Sequence, residues 1–190
     1  FNVQVALLSM LAGVTPGLIF QLMKMNALAY LRKLQQRIQA NASQIDNYLE
    51  QRVVILQNLA ALLSKSIDLD KDVMKTVAAY RGGVNPTSDQ VRNETSAAIE
   101  GAFSRINVAF EAYPDLQAQD NIAEAMRQNS YLQKEITAAR TLYNDSVASW
   151  NQDIFAWPVK QIVAAKQGYT TRIPFTASQA TKDAARGTFF

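Results

Sequence analysis

The stretch LRKLQQRIQANASQIDNYLEQRVVILQNLAALL, residues 31–63, decides the fold. Every seventh residue from Leu31 gives Ile38, Ile45, Arg52 and Leu59, and the same count from Gln35 gives Ala42, Leu49, Leu56 and Leu63. Apolar residues alternating at three- and four-residue intervals over more than four heptads mark one seam of a long helix. Neither Pro nor Gly interrupts it. At about 1.5 Å per residue it is a rod of roughly 50 Å, which only other long helices can cover.

Upstream of this rod, Phe1 to Met23 carries no charged residue. Its length is just sufficient to cross a hydrocarbon core as a helix. Val5, Leu8, Leu11, Val14, Leu18, Ile19 and Leu22 are expected to face lipid. Thr15-Pro16-Gly17 allows two readings. Pro16 kinks one spanning helix, or Thr15 caps a new helix that Pro16 opens, leaving residues 3–14 as a separate segment. The kinked span is preferred. A cleaved signal peptide fits less well, because the apolar run passes into helix at Lys24 without a small-residue cleavage site. Lys24, Arg32, Lys33 and Arg37 follow directly and are the candidate contacts to anionic lipid. By the positive-inside rule they place the helices in the cytoplasm and the N-terminus outside.

Downstream, Asp68-Leu69-Asp70-Lys71-Asp72 puts carboxylates at the start of a second helix, where its dipole favours them. Arg81-Gly82-Gly83-Val84-Asn85-Pro86 reads as a loop. Thr87-Ser88-Asp89-Gln90 reads as a capping box, with Thr87 at the N-cap and Gln90 three residues on. The helix it opens carries Val91, Ala98, Ile99, Ala102, Phe103, Ile106, Phe110 and Tyr113, and Pro114 ends it. A last long helix is expected from about Asn121 to Trp157, with Ile122, Met126, Asn129, Ile136, Tyr143, Val147, Trp150, Ile154 and Trp157 on its stripe. Gly168 stops a short following helix, and residues 169–190 are expected to be an extended tail that ends in Phe189-Phe190. The predicted fold class is therefore all-α: an antiparallel up-and-down bundle of about four helices, two of them long, with a membrane anchor over 1–23 and the bundle over 24–168. The core seam is Ile38, Ile45, Leu49, Leu56 and Leu59 against Ile136, Tyr143, Trp150 and Ile154.

The 190 residues, 48% hydrophobic, suffice for one core. The chain has no Cys and no His. That removes thiol and imidazole catalysis, the usual zinc sites and the Glu-x-x-His pairs that hold di-iron centres in bundles. Residues 24–52 carry five basic groups against two acidic ones, and the segment from 159 onward carries five against one, around an acidic middle. Basic charge beside an apolar N-terminus suits an anionic membrane. The central helices lack the basic, aromatic-interleaved face of a nucleic-acid binder, so no nucleic-acid partner is expected.

Few residues suggest chemistry. Gly82-Gly83 lacks the Lys-Ser/Thr of a phosphate loop and is a connector. Glu124 and Glu135 lie 11 residues apart with no further carboxylates at cage-building intervals. The seven-residue series Tyr143, Trp150, Trp157 is a packed seam rather than a ligand slot. No cofactor, metal, catalytic residue or small-molecule substrate is expected. Arg52 stands out because it occupies a seam position, where an unpaired charge costs several kcal/mol. On hydrophobic phase Glu135 is its expected partner, with Arg140 and Asn144 following on the same helix, and the pair would set helix register. The alternative is that Arg52 snorkels out at the bundle edge.

Ile45-Asp46-x-x-Leu49-x-x-Arg52 with Leu56-Gln57-Asn58-Leu59, then Ala112-Tyr113-Pro114-Asp115-Leu116-x-Ala118, then Glu135-Ile136-x-x-x-Arg140-x-x-Tyr143-Asn144-x-x-Val147-x-x-x-Asn151-x-x-Ile154, resemble the LemA family of bacterial membrane proteins. The blocks occur in the family's order and the resemblance covers most of residues 24–175. It implies one N-terminal membrane anchor with a short exterior N-terminus, a cytoplasmic antiparallel helical bundle and no enzymatic activity. The resulting expectation is a non-enzymatic scaffold that binds membrane lipid and forms a homo-oligomer at the inner membrane, shaping or organising it. The alternative is an adaptor whose bundle recruits a protein partner.

Overall fold

Helix α1 (Val3–Leu63) runs unbroken from the apolar N-terminal segment through the whole heptad stripe, with Pro16 inside it. The computed structural model describes residues 3–176. Five further helices follow among them: α2 (Lys71–Ala79), α3 (Asp89–Ala112), α4 (Pro114–Gln117), α5 (Asp120–Asp153) and α6 (Val159–Gln167). No strand occurs among the described residues, so the protein is all-α. Residues 3–14 are not a separate segment, because the helix passes through Pro16 without a break. The tail beyond Thr176, with Phe189-Phe190, lies outside the described residues.

Two compact units are formed. The first takes α1 up to Gln39 together with 145–172, and the second takes 40–144 together with 173–176. In the first unit Ala27, Leu31, Leu34 and Ile38 of α1 are buried, as are Val147, Trp150 and Ile154 of the second segment and Val159, Val163 and Ala164 of α6. Gln35 is exposed and Leu34 buried. Both positions fall between Leu31 and Ile38 on the seam, and the apolar one turns inward.

In the second unit, Ala42, Ile45, Leu49, Arg52, Leu56, Leu59 and Leu63 of α1 are buried, and Ile99, Ala102, Phe103 and Ile106 of α3 and Ile122, Ile136 and Tyr143 of α5 are buried with them. Side-chain pairs set the directions. Asp46 meets Arg92 and Arg52 meets Glu100, so α1 and α3 run parallel. Asn41 meets Leu142, Tyr48 meets Glu135 and Arg52 meets Asn129, so α5 runs antiparallel to both. The return leg between α1 and α3 is α2 plus a loop. The Gln57 amide donates to the Tyr80 carbonyl, and the Glu50 carboxylate accepts from the Val84 N–H. Gly83 has φ +95°, and a Cβ there would lie 2.9 Å from a Glu50 carboxylate oxygen. Only glycine meets both conditions without strain.

Local signals place the ends. Asp70 caps α2 by accepting from the Asp72 N–H. The cap of α3 is Ser88, not Thr87: Ser88 is extended and its Oγ accepts from the Val91 N–H at 3.2 Å, while the Gln90 amide donates forward to Glu94. Helix α5 ends at Asp153, short of Trp157. After Ile154 the backbone bonds tighten from four residues to three, Phe155 to Gln152 and Ala156 to Asp153. Trp157, followed by a cis peptide to Pro158, is 78% exposed, so the aromatic seam stops at Trp150. Gly168 closes α6 in the left-handed region at φ +67°.

Candidate functional site

Two arginines are buried in the second unit, and each is surrounded by groups that use its donors. Arg52, 1% exposed, donates from Nε to the Asn129 side-chain oxygen at 2.8 Å, from Nη1 to Gln133 and from Nη2 to Glu100 at 3.0 Å. Its guanidinium lies 4.9 Å from the centre of the Phe103 ring. Burial pulls the Arg52 pKa down and the Glu100 charge opposes it; a guanidinium nevertheless keeps its proton. Arg52 does not snorkel out.

Its partner is Glu100 on α3 rather than Glu135. Asn129 and Gln133 stand one turn apart on the α5 face that meets Arg52. Glu135, two residues on, points about 200° around the helix, and it accepts from the Tyr48 hydroxyl at 3.5 Å. Hydrophobic phase locates a polar seam position but does not say whether a carboxylate or an amide fills it.

Arg92 is the second such residue. Its Nε and Nη2 take the two oxygens of Asp46 in a fork, and Nη1 donates to Asp89 at 3.1 Å. The Tyr143 ring lies 5.9 Å away. Burial would lower the Arg92 pKa, but the hydrogen bond and charge of Asp46 outweigh it and raise it. Sequence reading missed Arg92 and put Val91 on the stripe, whereas Val91 is exposed. The spacing Arg92, Ile99, Ile106 carried the signal.

The extended segment after α6 is held by side-chain amides. In the first unit the Trp150 indole N–H donates to the Thr170 carbonyl at 2.8 Å, and the Asn151 amide pairs with both backbone groups of Arg172. In the second unit the Asn144 amide does the same for Phe175, at 2.9 and 2.7 Å, and Asn93 bonds the Pro174 carbonyl and the Thr176 N–H. Phe175 is buried. The Asn144 and Asn151 pairs take one backbone donor and one acceptor each, as a neighbouring strand would.

The remaining candidates lie in the first unit. Val5, Leu8, Leu11, Val14, Leu18, Ile19 and Leu22 are all exposed, with every other described residue before Lys24. An 18-residue window here is long and apolar enough to cross a membrane, and none of it is buried. Lys24 lies over the Phe20 ring at 5.2 Å, while Arg32, Lys33 and Arg37 project from α1 into solvent. Gly13 and Gly17, one turn apart, have open space where a Cβ would stand. Sequence reading considered Gly17 only as part of the Thr15-Pro16-Gly17 kink or helix start, not as a packing position.

Glu100, Asp46 and Asp89 are each engaged by an arginine. Among the described residues no three carboxylates converge as a metal site would need. No curated protein matches the chain by sequence. The family model described as "LemA family" matches residues 41–189, a stretch that includes both arginine centres and all three asparagine latches, and the chain belongs to the LemA family.

Proposed function

We propose that this protein is a non-enzymatic structural protein of the bacterial cytoplasmic membrane, anchored by residues 3–23 with its N-terminus outside and its helical units in the cytoplasm, where it self-associates as a scaffold that organises membrane. The carrying observation is the fully exposed apolar start of α1. Residues 3–23 make about 31 Å of helix at 1.5 Å per residue, matching a hydrocarbon core of roughly 30 Å. In water that surface would stay unburied at large cost, whereas lipid covers it. The basic residues Lys24, Arg32, Lys33 and Arg37 sit where a cytoplasmic anionic leaflet attracts them.

Self-association is supported by the same segment. Pro16 cannot donate to the Ala12 carbonyl, and lipid offers that oxygen no substitute. Ser9, Gly13 and Gly17 recur every fourth residue on one face, the spacing that lets two membrane helices approach closely. The test is the mass of the full chain in lipid nanodiscs. A defined oligomer that Gly17→Leu reduces to monomer is expected; a monomeric native chain would refute self-association.

A further inference from the structure

The first unit exposes two large aromatics, two residues apart, in the turn between α5 and α6: Phe155 at 61% and Trp157 at 78%. The turn is fixed, not loose. The Tyr30 hydroxyl donates to Asp153 at 2.7 Å, the Lys160 ammonium bonds the other oxygen of the same carboxylate, and Lys160 also lies 4.3 Å from the centre of the Tyr30 ring. Ile154 and Val159, on either side of the aromatics, are buried. Helix α6 then folds back, putting Tyr169 against Trp150 at 5.0 Å. Phe155 and Trp157 therefore occupy the tip of an α5–α6 hairpin.

The hairpin body extends from Asp153 towards Trp150, and burial on α1 begins with Ala27, one turn before Tyr30. Past the Tyr30–Asp153 bond α5 continues towards the N-terminal side of Tyr30, so the tip lies level with the turn of α1 that holds Ala27. Tyr30 stands seven residues past Met23, about 10 Å along the helix. A headgroup layer of roughly 5–8 Å lies beyond each face of the hydrocarbon core. If residues 3–23 span that core, the tip stands at the membrane–water interface. Trp is the residue best suited to that layer, since its ring is apolar and its N–H still seeks a polar partner. Lys24, the first charged residue past the apolar run, puts positive charge on this stretch of α1, where a lipid phosphate would complement it.

We infer that the α5–α6 turn is a second membrane contact, in which Phe155 and Trp157 insert into the headgroup region of the leaflet that the anchor leaves. This rests on the anchoring reading. It adds that the first unit is docked on the bilayer at two points, which fixes its tilt rather than leaving it tethered by one helix.

The experiment uses the full chain in vesicles of phosphatidylcholine and phosphatidylglycerol, with and without brominated acyl chains. Flotation with the vesicles tests the anchor alone. Trp157 is one of two tryptophans and Trp150 is buried, so brominated lipid should quench roughly half of the emission, and Trp157→Ser should abolish the quenching while flotation persists. A chain that does not float overturns the anchor itself. A chain that floats but is not quenched, or is quenched equally after Trp157→Ser, overturns the second contact and leaves the anchor standing. Unquenched Trp157 combined with a smaller oligomer after Trp157→Ser would assign the tip to a contact between copies instead, and would likewise overturn the lipid contact.

Discussion

Replacing Glu100 by Gln keeps the side chain's size and one acceptor but removes the charge facing Arg52. The guanidinium stays buried with neutral amides alone around it, those of Asn129 and Gln133 and the introduced one. Stripping a partner from a fully buried pair costs about 3–5 kcal/mol. Water reaches Glu100, whose side chain is 24% exposed, so the expected cost is about 2 kcal/mol. Arg52→Met keeps an apolar stem against Phe103 but leaves the buried Asn129 oxygen without its donor, for about 1–3 kcal/mol. If carboxylate and guanidinium act as one unit, the double variant loses less than the two singles together, by about 1–2 kcal/mol. Urea unfolding of the full chain in detergent, followed by circular dichroism for all four proteins, measures that difference. Additive losses, or an unchanged midpoint for Glu100→Gln, would refute an energetic role for the Arg52–Glu100 pair between α1 and α3.

Three other outcomes are expected. Gly83→Ala should destabilise the second unit by about 1–3 kcal/mol, from the left-handed backbone and the contact with Glu50; Gly82→Ala, where a Cβ meets nothing, is the control in the same unfolding assay. Asn144→Asp keeps the acceptor for the Phe175 N–H but faces the Phe175 carbonyl with a second acceptor, so hydrogen exchange at Phe175 should accelerate at least about tenfold, while Asn144→Gln displaces both bonds. Burial alone would raise the Asp153 pKa, but the hydrogen bonds of Lys160 and Tyr30 outweigh it and hold the carboxyl below the usual range. Its stabilising contribution is thus present above the unfolded value near 4 and is lost as pH falls through the lower folded value. Tyr30 is shifted up, chiefly by its hydrogen bond to Asp153 and then by burial. Its contribution is complete below the unfolded value near 10 and is lost as pH rises through the higher folded value. Melting of the full chain against Tyr30→Phe across both limbs checks the signs: the variant should lose the alkaline dependence.

The long helices were legible because their signal is cumulative. Ten seam positions from Leu31 to Leu63 repeat one period, and a single misplacement, Gln35 for Leu34, leaves the helix unchanged. End points rest on one or two bonds each. Thr87 and Ser88 are adjacent hydroxyls and both are common caps, Ser the stronger of the two, and the backbone shows which of them turns back on the helix. Trp157 continues the seven-residue rhythm of Tyr143 and Trp150, but α5 stops before reaching it. Arg52 was visible as a polar residue on an apolar stripe, whereas its partner depended on which helix lay beside α1. The asparagine latches were present in the family pattern as Asn144 and Asn151, but their role becomes visible only when the extended segment lies across them. A side-chain amide that pairs with backbone leaves no periodic trace.

Because the chain has no cysteine, its orientation can be read with single introduced thiols. Asn2→Cys and Gln51→Cys would be exposed in intact bacterial cells to a maleimide that does not cross the membrane, then again after lysis. Labelling of Asn2→Cys from outside, with Gln51→Cys reacting only after lysis, is the result predicted for an anchor with an exterior N-terminus and cytoplasmic helices. Equal labelling of the two positions before lysis, or recovery of the chain in the soluble fraction, would contradict it.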